Sequence, residues 1–145
     1  MPHETINPGH LAKPSGFAHG TKAGDTVYLG GQTAMDATGA IVEGGIVPQF
    51  RQAFTNVLDT LKAAGGVPTD LVSLTIYLTD VPDYQANGRE IGRIWRELAG
   101  ASYYPAMAGI GITSLWQKEA LIEIAGVAVL TGDAPATSAE TSAAS

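Results

Sequence analysis

The chain has 145 residues, of which 45% are hydrophobic, 7% are aromatic and 18 are glycine, and its formal net charge is −6. This size and composition suit one α/β or α+β domain with many turns. With only 8 Lys+Arg and no basic stretch, the chain is a poor candidate for binding nucleic acid or an anionic membrane surface. The absence of cysteine excludes disulfides, thiolate metal sites and cysteine nucleophiles.

The first half of the chain predicts one clear strand and one long helix. Residues 26–32 have the composition of a strand, and Ile41-Val42 is predicted to form a short second strand. Over residues 50–64 the apolar side chains recur every three or four positions, which is the spacing of one helical face. Pro48 suits the start of that helix, and Gly65-Gly66 suits its end.

The second half predicts a further helix and three strands. Residues 70–79 alternate between apolar and polar side chains, as in a strand with one buried face. A helix is predicted over residues 80–98, interrupted at Gly88 and Gly92, and strands over 106–112 and 120–130. The last of these is apolar on both faces, so both must be covered. The order predicts an α+β fold with a mixed sheet, two helices on one face, and the other face free for assembly.

The two ends of the chain carry weaker signals. Residues 131–145 are small and polar, so we predict a disordered tail after a single domain over residues 1–130. No apolar run reaches the ~18 residues of a membrane span, and the first ten residues lack the features of a signal peptide. A cytoplasmic location with no membrane partner is therefore expected.

Several motifs, in this order and spacing, resemble the Rid (YjgF) family of small trimeric proteins. They are Gly24–Gln32, Val72–Asp80, Asp83-Tyr84, Tyr104-Pro105-Ala106, Leu121–Ile124 and Val127–Val129. The resemblance implies a chorismate-mutase-like fold and a homotrimer whose three sheets form a central barrel. It also implies that small molecules bind in clefts between neighbouring subunits.

One position departs from the family pattern in its chemistry. Family deaminases hydrolyse imines or enamines of amino acids, and the best-known sites hold the substrate carboxylate with an arginine directly after Pro-Ala. Arginine suits this role because its rigid fork donates two parallel hydrogen bonds. Here Met107 follows Pro105-Ala106, and a thioether offers neither charge nor donor. We therefore predict a divergent member that is not a standard 2-imino-acid deaminase.

Other positions of the implied cleft have also lost polar groups. Ala125 stands where the resemblance places a catalytic glutamate, and Gly88 stands where it places an asparagine, although Asn87 is adjacent. The expected ligand-binding residues are Phe17, Gly30, Gly31, Asn87, Gly88, Met107, Gly109 and Trp116. One interpretation is an apolar cleft for a neutral or aromatic ligand. The other is that no chemistry remains and that residues such as Phe17 and Met107 pack in the trimer interface.

Three side chains are candidates for replacement chemistry. His19 has a suitable ordinary pKa for general acid–base catalysis, with a solvated loop histidine as the alternative. Glu123 is the one charge in an apolar strand, so burial would raise its pKa, with an interface carboxylate as the alternative. Tyr103 offers a hydroxyl to a ligand, while His3 and His10 form no metal motif.

These residues predict a cofactor-free enzyme with no metal. It would hydrolyse, deaminate or tautomerise a small neutral imine, enamine or reactive carbonyl compound in the cleft between subunits. The alternative is a non-catalytic trimeric protein that binds a small molecule or a partner segment in the same clefts.

Overall fold

The strands and helices follow the two spacings of apolar residues in the sequence, which are every second residue for strands and every three or four residues for helices. The computed structural model describes residues 3–132. Its strands are β1 (Glu4–Ile6), β2 (Gly20–Ala23), β3 (Thr26–Gln32), β4 (Leu71–Leu78), β5 (Ala106–Gly111) and β6 (Ile122–Val129). Its helices are α1 (Ile46–Ala63), α2 (Val81–Ala86) and α3 (Gly88–Ala99), with a 3₁₀ turn at Pro68–Asp70.

The strands form one mixed sheet in the order β1-β2-β3-β6-β4-β5. Neighbours are antiparallel except β4 and β5, which are parallel. The last strand along the chain, β6, therefore lies between β3 and β4 at the centre of the sheet. This arrangement confirms the predicted mixed sheet.

The two faces of the sheet differ in burial. Leu74 and Ile76 of β4 pair with Gly126 and Ile124 of β6 on the face that packs against the helices. Paired positions on the opposite, open face are only partly buried, as at Tyr77 and Glu123. Covering of this face by neighbouring subunits remains a prediction.

The helical layer packs through stacked aromatic rings. Phe54 of α1 stacks on Phe50 at a centroid distance of 5.5 Å and on Trp95 of α3 at 4.5 Å. All three side chains are buried. Such offset stacking adds about 0.5–1.5 kcal/mol to the apolar burial itself. The predicted helical face of residues 50–64 is therefore the face that forms the core.

The predicted ends of α1 and the start of α2 are confirmed. Pro48 is in the first turn of α1. The helix ends in a Schellman motif, because Gly65 N donates to Lys62 O at 3.0 Å and Gly66 N donates to Leu61 O at 2.9 Å. Asp80 caps α2 by accepting a hydrogen bond from the backbone N–H of Asp83.

One predicted strand is absent, because Ile41 and Val42 do not form a strand and Ile41 makes only an isolated bridge with Met35. The predicted break in the second helix is confirmed, since α2 and α3 meet at Asn87, but Gly92 lies inside α3 and does not interrupt it. The short strands β1 and β2 were not predicted. They have 3 and 4 residues, too few for a hydrophobic period to emerge.

The remaining predictions concern the tail and the membrane. Residues 133–145 of the predicted tail lie outside the described residues, so its disorder stays a prediction. Over residues 3–132, none of the helices has the length and apolar character needed to cross a membrane.

Candidate functional site

A cavity of about 680 Å³ opens where β3 ends and β6 begins. We call it the β3–β6 cavity. Its wall comes from the segment before β2, the segment after β3 and the loop before β6. Five predicted site residues contribute to it: Phe17, His19, Gly31, Trp116 and Glu123. The structure therefore brings together residues that are more than a hundred positions apart in the chain.

Glu123 supplies the carboxyl group of this cavity. It occupies an open-face position of β6, opposite Tyr77 of β4. The register between β3 and β6 shifts by one residue between Leu29 and Gln32. A methyl group at Gly31 would overlap the Glu123 carboxyl, so the glycine leaves the space that this carboxyl occupies. Burial raises the pKa of the Glu123 carboxyl above its ordinary value, as predicted.

The raised pKa of Glu123 has a consequence for stability. Below the ordinary glutamate pKa of about 4.3, the carboxyl is protonated in both the folded and unfolded chains. As the pH rises through the higher pKa of the folded state, ionisation of the half-buried group lowers the free energy of unfolding. We therefore expect Glu123→Gln to melt at a higher temperature than the parent at about pH 8 and at the same temperature near pH 4. Thermal melts across this range test the expectation, and a pH-independent difference would contradict it.

His19 is buried, with 2% exposure, and it joins three parts of the chain. Its Nε2 donates to Ala12 O at 2.8 Å, and its Nδ1 accepts from Gln32 Nε2 at 2.9 Å. A carbonyl oxygen can only accept, so these partners assign the proton to Nε2. Its backbone N–H donates to Asn7 Oδ1 at 2.8 Å.

The alternative of a solvated loop histidine is therefore wrong, because the His19 ring is enclosed. Both ring nitrogens are also engaged within the chain. A general base needs a nitrogen within reach of substrate. The geometry of His19 instead suits a structural residue that anchors the segment around Ala12 to the end of β3 through hydrogen bonds.

Two aromatic rings and a thioether form the apolar part of the wall. Phe17 is 56% exposed, and its ring meets that of His19 edge-on at a centroid distance of 5.8 Å. Trp116 is 95% exposed. The third apolar group is Met35. Uncharged polar side chains also line the wall, including Ser15, Thr33, Thr38 and Gln117.

The loop that carries Trp116 is held to the segment after β3 by its neighbour Gln117. The Gln117 amide donates to Met35 Sδ at 3.0 Å, and its Oε1 accepts from the Thr33 hydroxyl at 3.2 Å. Sequence reasoning missed Gln117 because an isolated glutamine in a loop carries no periodic or motif signal.

Lys13 is the basic side chain among the described residues of the cavity wall, and it too was missed. It is exposed to solvent, and a flexible ammonium group lacks the fork that grips a carboxylate at two points. The arginines of α3 do not line this cavity. Arg93 instead forms ion pairs with Glu90 and Glu97 on the helix surface.

The other predicted site residues lie elsewhere within the chain. Met107 and Gly109 are on the edge strand β5, three strands from β3, or roughly 14 Å at the usual strand spacing. Met107 is 46% exposed and pairs with Leu74 of β4. One chain therefore does not bring Met107 to the β3–β6 cavity.

Three more of the predicted residues make internal contacts away from the cavity. The Tyr103 hydroxyl donates to Leu71 O at 2.7 Å, which fastens it to the start of β4. The Asn87 amide donates to Asp83 O at 2.8 Å at the junction of α2 and α3. Gly88 begins α3. None of the three contributes to the wall described above.

A second, shallower cavity of about 330 Å³ lies on the open face of the sheet. Gly30 and Ala125 contribute to it, together with Tyr28, Thr75 and Val127. Gly30 lies close to the preceding segment, because its N–H donates to His19 O at 2.8 Å and an added methyl group would lie only 3.0 Å from Ala18 O. This cavity holds no charged side chain among its described lining residues. Within residues 3–132, no three His, Asp or Glu side chains are grouped so as to hold a metal ion.

The fold and the site together define a small α+β protein with a partly apolar cavity at the centre of a mixed sheet. Residues 10–130 match the sequence profile of the family described as Endoribonuclease L-PSP. The chain belongs to this family, which includes the Rid and YjgF proteins.

Curated relatives and solved structures agree with this assignment. A 2-iminobutanoate/2-iminopropanoate deaminase of Capra hircus is 36% identical over 105 residues, which is 72% of each chain. A RutC family protein of Pyrococcus horikoshii is 34% identical over 127 residues, covering 86% of this chain and 96% of that protein. A structure described as a probable translation initiation inhibitor from Rhodopseudomonas palustris has a TM-score of 0.79 at 30% identity, covering 88% of this chain and 98% of that one. The YjgF gene product of Escherichia coli has a TM-score of 0.77 at 25% identity, covering 87% and 98%.

Proposed function

We propose that this protein is a cofactor-free enzyme that hydrolyses small neutral imines or enamines in the β3–β6 cavity. The observation that carries the proposal is the placement of Glu123. Its carboxyl, with a pKa raised by burial, lies on a cavity wall that is otherwise apolar or uncharged except for the exposed Lys13. The names of the curated deaminase relatives support imine hydrolysis as the reaction class.

The proposed reaction adds water across a carbon–nitrogen double bond and releases ammonia. Protonated Glu123 donates its proton to the imine nitrogen, and the resulting carboxylate then takes a proton from the attacking water. Protonated Glu123 then donates to the nitrogen of the tetrahedral carbinolamine and recovers a proton from its hydroxyl group, so that the C–N bond breaks, the carbonyl forms and the nitrogen leaves as ammonia. A raised pKa serves the first step, because the carboxyl keeps its proton to a higher pH than an ordinary glutamate does.

A neutral substrate follows from the charges near the cavity. Position 107, where the resemblance expects the carboxylate-binding arginine, is methionine. The remaining cation of the described wall, Lys13, is solvent-exposed and therefore weakly attractive. A substrate carboxylate without a buried partner would cost several kcal/mol, equivalent to about a thousandfold or more in affinity.

We also propose that the active form is a homotrimer. In it, Met107 and Gly109 of one subunit would approach the cavity of a neighbour. Exposed apolar side chains on the open sheet face support this assembly, namely Tyr28, Ile110 and Val129. Light scattering at several concentrations would measure the mass, and a monomer at all of them would contradict the proposal.

Substrate charge is the sharpest test of the function. Neutral imines can be generated from primary amines with an amine oxidase, and 2-iminobutanoate from its amino acid with an amino-acid oxidase. The remaining imine is then trapped with semicarbazide. We expect the protein to accelerate loss of neutral imines and to leave 2-iminobutanoate near its spontaneous rate, a preference of at least about a hundredfold in kcat/KM.

One variant sharpens this test. Lys13→Met should leave hydrolysis of neutral imines unchanged, because the proposal assigns no anion to Lys13. Efficient 2-iminobutanoate hydrolysis that Lys13→Met removes would overturn the neutral-substrate proposal. Binding of ligands without turnover of any imine would favour the non-catalytic binding protein.

A further inference from the structure

The geometry of the wall points to an aromatic ring as the part of the substrate that the protein recognises. Resting on the proposed function, we propose that Trp116 and Phe17 bind an aryl group while Glu123 acts on an imine nitrogen attached near it. The substrate class is then an aryl-substituted neutral imine. This goes beyond a general apolar cleft, because it assigns separate walls to recognition and to chemistry.

The first observation that favours an aromatic substrate is the exposure of Trp116. It is 95% exposed, whereas the chain's other tryptophan, Trp95, is 6% exposed in the core. A large apolar side chain in contact with water costs free energy unless something covers it. Its loop is also held, because the neighbouring Gln117 is hydrogen-bonded to Thr33 and Met35, which line the same cavity. Within one chain, Trp116 is thus an anchored and exposed ring at the cavity rim.

The second observation that favours an aromatic substrate is the position of Phe17. Its ring contacts the buried His19 ring edge-on, at an interplanar angle of 87°. Since His19 is fixed by hydrogen bonds to Ala12 and Gln32, Phe17 rests on a rigid support. It nevertheless remains 56% exposed, so much of the ring is free to contact a ligand. Aromatic rings prefer offset-stacked or edge-to-face partners, which another aromatic ring supplies.

The size and polarity of the cavity agree with such a ligand. Its volume of about 680 Å³ falls within the roughly 300–1,000 Å³ of typical small-molecule sites. The apolar groups Phe17, Met35 and Trp116 can contact an apolar ring, and Glu123 beside Gly31 can contact a polar nitrogen. A single aromatic ring with a short imine-bearing substituent presents both an apolar and a polar surface.

Two stable neutral probes test ring recognition without requiring turnover. Benzamide and cyclohexanecarboxamide share a planar carbon that bears nitrogen, but only benzamide has an aromatic ring. The cyclohexane ring is more apolar than the benzene ring. A cavity that recognises only apolar surface would therefore bind cyclohexanecarboxamide at least as tightly as benzamide. Stacking on Trp116 and Phe17 reverses this order, and we expect benzamide to bind about five- to tenfold more tightly by calorimetry.

Trp116 provides its own spectroscopic readout. Iodide should quench its fluorescence in the free protein, and benzamide should protect it. Trp116→Ala should weaken benzamide binding about tenfold, and Trp116→Phe should restore most of it. Tyr104→Leu is the matched control, because Tyr104 is another exposed aromatic residue but contacts Trp95 rather than the cavity. It should leave the affinity for benzamide unchanged.

The outcomes test recognition of the aromatic ring separately from hydrolysis of the imine. Equal or tighter binding of cyclohexanecarboxamide, or unchanged binding in Trp116→Ala, overturns aromatic recognition even if aliphatic neutral imines are hydrolysed. A Trp116 that iodide cannot reach in the free protein also overturns it, because the ring would then be covered already. Selective benzamide binding without hydrolysis of any imine would support the aryl site and refute the proposed reaction.

Discussion

Replacing Glu123 with glutamine is expected to lower kcat/KM for a neutral imine by about 10²- to 10⁴-fold, the usual contribution of a positioned general acid or base. Glutamine fills nearly the same space but has no proton that it can donate and recover. The structure offers no equivalent group nearby, because Glu123 is the acidic side chain among the described wall residues. Steady-state hydrolysis of a neutral imine by parent and variant measures the loss.

The pH profile distinguishes proton transfer from a structural effect. If protonated Glu123 is the acid, the parent rate falls as the pH rises through its raised pKa, and the variant lacks that limb. The matched control is Glu119→Gln, an exposed carboxylate in the preceding loop that does not line the cavity. It should keep both the rate and the limb. Similar losses in the two variants, or a limb that persists without Glu123, would exclude Glu123 as the acid.

Much of the fold was predictable because long elements carry a clear hydrophobic period. The helical face of α1 and the alternation of β4 are each repeated over several turns or residue pairs, so burial on one side is encoded many times. The break beside Gly88 was predicted, whereas Gly92 was expected to interrupt the helix and does not. The cause of the break is local, since the Asn87 side chain bonds Asp83 O and one glycine follows. A single interrupted turn does not change the period around it.

A residue of the site was predictable where its side chain differs in chemistry from its neighbours in the sequence. Glu123 stands out as a carboxylate in an apolar strand, and its place on the cavity wall follows from strand alternation. The burial of His19 was not predictable in the same way. It depends on a one-residue register shift in β3 and on a carbonyl seven residues earlier in the chain. Lys13 and Gln117 also reach the wall through loops, whose paths have no period to read.

His19→Leu is expected to lower the free energy of unfolding by about 2–4 kcal/mol. The leucine would leave the buried Gln32 amide and the Ala12 carbonyl without their partner. It would also release the segment that carries Lys13 and Phe17 to the cavity. Activity should therefore fall together with stability, which denaturant unfolding and imine kinetics on the same samples would reveal.

His19→Gln decides between support and catalysis. Its amide oxygen can accept from Gln32 and its amide nitrogen can donate to the Ala12 carbonyl, which reproduces both bonds of the imidazole without a titrating group. A positioning role predicts that most of the stability returns, that kcat/KM stays within several-fold of the parent, and that the pH profile keeps its shape. A folded His19→Gln protein that has lost about a hundredfold or more in rate, together with one limb of its profile, would identify the histidine as a proton-transfer group. Because the ring is enclosed and both nitrogens are bonded within the chain, we expect the first result.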